Sequence, residues 1–115
     1  MAKKTRKTRP LSDEAIFLLS DKLAAMGDPI RLRILNLLCC RGEQNVAQLV
    51  EQCGAKQANV SRHLVRLRET GLVVWRKAGT KIFYALADDS LPSICACLRE
   101  SAKTKLKRLS SSLDD

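Results

Sequence analysis

Residues Gln57 to Leu67 read QANVSRHLVRL and run directly into RETGLVVWRKAGTKIFYAL. Helical spacing makes Ala58, Val60, Leu64 and Leu67 an inward stripe and leaves Gln57, Asn59, Ser61, Arg62 and His63 outside. Gly71 stands where a helix closes on a C′ glycine. Strands are expected over Leu72–Lys77 and Lys81–Leu86, where Val73, Val74, Trp75, Ile82, Phe83 and Tyr84 favour extended backbone. Ala78-Gly79-Thr80 supplies the turn between them, with Gly79 suited to a positive φ. Amide, hydroxyl and guanidinium groups on the helix's outer face are those that bond base edges and phosphates. The expected DNA contacts are Lys56, Gln57, Asn59, Ser61, Arg62 and His63 on the helix. Arg76, Lys77 and Lys81 are expected to add backbone or minor-groove contacts from the hairpin, which reads as a wing.

Charge agrees. The 115 residues carry a formal net charge of +9, which points to a polyanionic partner, nucleic acid before membrane. Lys3, Lys4, Arg6, Lys7 and Arg9 crowd the first ten positions. Lys56, Arg62, Arg66, Arg68, Arg76, Lys77 and Lys81 fall on the helix and hairpin. No segment approaches the roughly 20 apolar residues of a membrane span. No apolar signal-peptide core follows the basic start. A cytoplasmic protein with no membrane partner is expected. In a reducing cytosol five cysteines are thiols rather than a disulfide scaffold.

Residues 1–10 read as a disordered basic arm, 11–109 as one DNA-binding and dimerisation domain, and 110–115 as a flexible tail. Ser12 is placed to cap a first helix, in which Ile16, Leu19, Leu23 and Met26 follow at spacings of three and four before Gly27 closes it. Asp28 and Pro29 open a second helix that buries Ile30, Ile34, Leu35, Leu37 and Leu38 and stops at Gly42. A short third helix, about Asn45 to Gln52, has Asn45 as its cap and Val46, Leu49 and Val50 inward. Its close approach to the Gln57 helix is the helix-turn-helix pattern. Asp88, Asp89 and Ser90 open a last helix, with Pro92 in its first turn. There Leu91, Cys95, Leu98, Ala102, Leu106 and Leu109 form a narrow apolar seam. Such a seam predicts a partner helix, hence a dimer. The fold class is mainly α with a small β-hairpin: a homodimeric winged helix-turn-helix.

The phrases LAAMGDPIRLRILNLL (23–38), QANVSRHLVRLRETGLV (57–73) and RKAGTKIFYAL (76–86), in this order and spacing, resemble the ArsR/SmtB family of bacterial winged-helix repressors. The resemblance covers roughly residues 12–107. It implies a homodimer held by the first and last helices. It also implies recognition helices in successive major grooves of a palindromic double-stranded operator, released by an inducer. The recognition positions carry over to Gln57, Asn59, Ser61, Arg62 and His63. Lys56 stands where many members have a capping serine. It cannot accept a capping hydrogen bond but can meet a phosphate.

The family's sensing sites are where this chain departs. Asn45, Val46 and Ala47 replace the arsenite-type motif of two cysteines flanking a valine. The last helix lacks the histidines of the zinc site, and the chain's single histidine is His63. No metal site and no cofactor are expected. The cysteines remain. Cys53 and Cys95 read as small buried residues, and Cys97 lies off the seam. Cys39 and Cys40 diverge by about 100° on their helix, so both cannot enter one core. A disulfide between them is strained: neighbouring Cα atoms lie about 3.8 Å apart, below the usual span of at least about 4.4 Å. Closing it should distort the helix end, and strain eases reduction. The vicinal pair resembles the family's members that lack metal sites and sense oxidants through thiols.

The leading expectation is a repressor that releases its operator when peroxide oxidises Cys39 and Cys40. One alternative is a sensor of arsenite, antimonite or a soft metal using Cys39 and Cys40 with Cys95 or Cys97. Another is a disulfide or persulfide sensor bridging the second and last helices. A constitutive DNA binder with inert cysteines is a further reading. A thiol oxidoreductase has little support, for there is no C-x-x-C within a βαβ pattern. No catalytic constellation is visible, so no enzyme is expected.

Overall fold

A computed structural model describes residues 9–87 and 89–114. Most of the arm (1–8) and the expected helix-opening Asp88 lie outside the described residues. The elements are α1 (Asp13–Met26), α2 (Pro29–Arg41), β1 (Gln44–Asn45), α3 (Val46–Cys53), α4 (Gln57–Glu69), β2 (Val73–Ala78), β3 (Lys81–Leu86) and α5 (Ser90–Asp114). The sheet is antiparallel in the order β1-β3-β2.

Local chemistry sets the boundaries. The Ser12 hydroxyl accepts from the Ala15 N–H at 3.1 Å and starts α1. One Asp28 carboxylate oxygen accepts from Ile30 N–H at 2.9 Å and Arg31 N–H at 3.1 Å, with Pro29 next in the chain. These bonds satisfy donors that a helix start leaves unpaired, and Pro has none to lose. Asn45 and Gln48 form a reciprocal capping box at α3, with bonds of 2.8 and 2.9 Å. The α4 start has no side-chain cap, as the ammonium of Lys56 dictates. Its end is a Schellman motif. The Leu72 N–H bonds to Leu67 O and the Gly71 N–H to Arg68 O, both at 3.0 Å, with Gly71 at φ 74°. That closure turns the chain from recognition helix into wing, where Leu72 and Val73 are buried.

The core runs from α2 (Ile34, Leu35, Leu38) through α3 (Leu49) and α4 (Val60, Leu64, Leu67) to Tyr84 of the hairpin and Leu91 of α5. β1 was not foreseen. It is two residues long and pairs Gln44 with Tyr84 and Asn45 with Phe83, so the wing is hydrogen-bonded to the chain leaving α2. Isolated two-residue strands carry no sequence signature, because side-chain alternation needs a longer run.

The α1 stripe divides: Met26 is buried, whereas Ile16, Leu19 and Leu23 are exposed, with Leu11, Phe17 and Leu18. Only the C-terminal end of α1 sinks into this chain's core, at Ala25 and Met26. The α5 seam divides: Leu91 and Cys95 are buried in their own subunit, whereas Leu98, Leu106 and Leu109 stand exposed, as does Ala102. Helix α5 also continues to Asp114, through residues where a tail was expected.

Asn45→Ala should cost about 1 kcal/mol, the usual value of an N-cap. Leu64→Ala should cost about 2–5 kcal/mol, because it opens a cavity in a fully buried site. Urea unfolding of both variants, compared through their midpoints at constant m-value, checks the order.

Candidate nucleic-acid interface and thiol cluster

The turn between α3 and α4 is three residues long, and Gly54 adopts a left-handed conformation (φ 63°) that sets the two helices at an angle. With Val60, Leu64 and Leu67 inward, the outer face of α4 carries Gln57, Ala58 and Arg62 in the open and Asn59 and Ser61 half-buried. Arg62 Nη2 donates to Asn59 Oδ1 at 3.1 Å. This bond pre-orients both polar groups on the outer surface. Ala58, expected inward, faces out. It lies three, four and seven residues before Ser61, Arg62 and Val65, on their side of the helix.

His63 turns the other way. Its side chain is 18% exposed, and its Nδ1 lies 3.1 Å from Arg31 Nη1. A guanidinium can only donate, so Nδ1 accepts and the proton of the neutral ring sits on Nε2. Nε2 is 3.8 Å from Asp28 Oδ2. Arg31 also donates from Nε to Ala25 O. The hydrogen bond from the Arg31 N–H holds the Asp28 carboxyl below its ordinary pKa, with the Ile30 N–H helping and desolvation opposing. The spacing contained this outcome: His63 is three residues after Val60 and four before Leu67, hence on the buried flank. His63 ties α4 to the start of α2.

The basic residues also divide by role. Arg76 makes a bidentate pair with Glu43 (2.8 and 2.6 Å) and lies 4.9 Å from the Phe83 ring centroid. The pairing lowers the Glu43 pKa and raises that of Arg76. Arg66 pairs with Asp21 of α1 at 3.3 Å, and Arg68 stacks on Trp75 at 5.2 Å. Lys56, Lys77 and Lys81 are exposed and have no ion-pair partner among the described residues. Lys77 and Lys81 flank the turn at Gly79 and Thr80, at the wing tip.

At the opposite end of α2, three cysteines meet. Cys39 is half-buried, Cys40 exposed and Cys95 buried. The Cys39 and Cys95 thiols are neighbours across the α2–α5 contact. Burial pushes the Cys95 thiol above its ordinary pKa, and the neighbouring Cys39 and Cys40 push it further while Arg99 opposes them. Arg99 Nη2 donates to Cys40 Sγ at 3.0 Å and to Asn36 Oδ1 at 3.1 Å. Cys97 is exposed and about 200° around α5 from Cys95, so it does not join them. Cys53 is buried apart, and burial raises its thiol pKa.

The DNA-reading geometry has close counterparts. Residues 28–74 match the family model described as bacterial regulatory protein, arsR family. The transcriptional regulator MJ1325 of Methanocaldococcus jannaschii is 38% identical over 76 residues, 66% of this chain and 85% of that protein. The chain belongs to the ArsR family. An arsenical resistance operon repressor of Staphylococcus xylosus is 40% identical over 66% of the chain and 72% of its own length. A homodimeric winged helix-turn-helix domain from Mycobacterium bovis, solved by NMR, superimposes with a TM-score of 0.75. It has 26% identity and covers 88% of this chain and 95% of that one. This ArsR-family chain is thus a DNA-binding transcriptional regulator with a winged helix-turn-helix fold. Among its described residues no helix is long and apolar enough to cross a membrane.

Arg62→Ala should weaken operator binding by about ten- to a hundredfold, the scale of one base-reading contact. Lys77→Ala and Lys81→Ala should weaken all duplexes alike, each lowering the slope of log K against log salt by about one. Fluorescence anisotropy over a salt series separates the two behaviours. Equal loss from Arg62→Ala on operator and random duplex would show that Arg62 only meets phosphate.

Proposed function

We propose that this protein is a homodimeric repressor that holds double-stranded operator DNA in its reduced state and releases it when peroxide oxidises Cys39 and Cys40. The observation that carries the sensing reading is the thiol cluster at the end of α2. Exposed Cys40 adjoins half-buried Cys39, at the helix end that leads through Gly42 and Glu43 into β1. Gly42, at φ 76°, ends the helix with its N–H on Leu38 O at 3.0 Å. A Cys39–Cys40 disulfide strains that turn. Glu43 then carries the distortion to Arg76 in the wing, and Gln44 and Asn45 carry it to β3 and the α3 cap. Dimerisation is supported by the apolar faces that α1 and α5 leave uncovered; Phe17 is 76% and Leu18 65% exposed. Patches of this kind mark interaction surfaces.

A second reading has its own observation. The proximity of Cys39 and Cys95 favours a bridge across α2 and α5, as a disulfide or through added sulfur. The soft-metal reading has less support. Cys97 points away from the cluster, and among the described residues no three His, Cys, Asp or Glu side chains gather as a cation site.

Gel shifts in chelated buffer test these readings. Peroxide should dissociate the wild-type complex, and excess thiol should restore it. The Cys39→Ser, Cys40→Ser double variant should stay bound; release of that variant by peroxide would refute the switch. Cys95→Ser should still respond if the bridge is Cys39–Cys40, and should be blind if it is Cys39–Cys95.

A further inference from the structure

We propose that Cys40 is the sulfur that peroxide attacks, that Arg99 of α5 is the group that holds it for attack, and that Cys39 resolves the product. This assignment rests on the redox reading above and gives each residue of that site its part.

Three observations separate the thiols. Cys40 is exposed, while Cys39 is half-buried and Cys95 buried. Arg99 places an N–H of a permanently charged guanidinium 3.0 Å from the Cys40 sulfur. The same Nη2 donates to Asn36 Oδ1 at 3.1 Å, and the Cys40 S–H lies 3.6 Å from that oxygen. Asn36 is one helical turn before Cys40, so it fixes guanidinium and sulfur together on the open side of the α2–α5 contact. Thiolates are the nucleophiles toward peroxides, and Arg99 is the cation that balances the charge there. The contact is reciprocal, for the Cys40 sulfur raises the Arg99 pKa. Cys95 is a poor first nucleophile, because burial keeps its proton on.

The chemistry closes without a further reagent. The Cys40 thiol releases its proton and the thiolate attacks one peroxide oxygen; an S–O bond forms, the O–O bond breaks, and the leaving hydroxide takes up the released proton as water. Sulfur is oxidised by two electrons to sulfenic acid and the peroxide is reduced. Cys39 sulfur then attacks the sulfenic sulfur. The S–S bond forms, the S–O bond breaks, and water departs with the Cys39 proton. Once Cys40 is in a disulfide, its sulfur can no longer become the thiolate that Arg99 would balance. Oxidation therefore also loosens α5, the helix whose outer face bears Leu98, Leu106 and Leu109.

The test is the rate of sulfenic acid formation in full-length Cys39→Ser protein, trapped with dimedone under hydrogen peroxide and located by peptide mass. The adduct should sit on Cys40. Adding Arg99→Met should slow its formation by at least about tenfold, the equivalent of one hydrogen bond to a charged group. Arg99→Lys should restore part of the rate. Alkylation of exposed Cys97 on the same helix, and operator binding of the reduced protein, should not change; a folding defect would move both. An unaltered rate in Arg99→Met, with wild-type protein still bridged by peroxide, overturns the role of Arg99 and leaves the redox switch standing. An adduct on Cys39 in Cys40→Ser protein, formed as fast as the Cys40 adduct, overturns the choice of sulfur. Wild-type thiols that peroxide leaves intact overturn the switch itself.

Discussion

Helix α2 is buried along Ile34, Leu35 and Leu38, and α1, α3, α4, α5 and β3 all pack against it. Side chains without solvent on any side leave little room for independent motion, because interiors are close-packed. The two ends of this one rigid body then meet different chemistry. At its start, Asp28 and Arg31 grip His63 of the recognition helix. At its end stand Cys39, Cys40 and the Gly42 turn. The thiols thus sit on the same element that holds the recognition helix through His63.

The arginines and lysines show how a strongly basic chain divides its charge. Arg31, Arg66 and Arg76 are committed to partners within the subunit, where a planar guanidinium can hold two contacts at once. Lys56, Lys77 and Lys81 stay at the surface, where a compact ammonium serves a phosphate without fixed geometry. The committed arginines tie wing and recognition helix to the rest of the subunit, and the three lysines have no ion-pair partner among the described residues. The Glu43–Arg76 pair stands at the junction of these tasks. Arg76 belongs to the wing, and its partner is the second residue after the end of α2.

Much of the fold was legible because it rests on local rules. Ser12, Asp28 and Asn45 cap where short polar side chains precede apolar periodicity. Gly71 closes α4 where only a positive φ permits the turn into the hairpin. The recognition helix was legible from spacing, with two errors of face. Ala58 was given to the core because it is apolar, and His63 to the surface because it is polar; geometry placed both the other way. The α1 stripe was legible as apolar, but periodicity does not name the chain that covers it, and Ile16, Leu19 and Leu23 stand exposed on this subunit.

The sequence by itself determined the helix boundaries, the hairpin, the basic reading face and the presence of a vicinal thiol pair, for these follow from neighbours within a few residues. Only the tertiary structure decided that Cys95 meets Cys39, that Arg99 meets Cys40 across 59 positions of chain, and that Glu43 holds Arg76. Such contacts depend on how α2, α5 and the wing settle around a shared core. That arrangement is set by the summed burial of many side chains, and no short stretch of the chain encodes it.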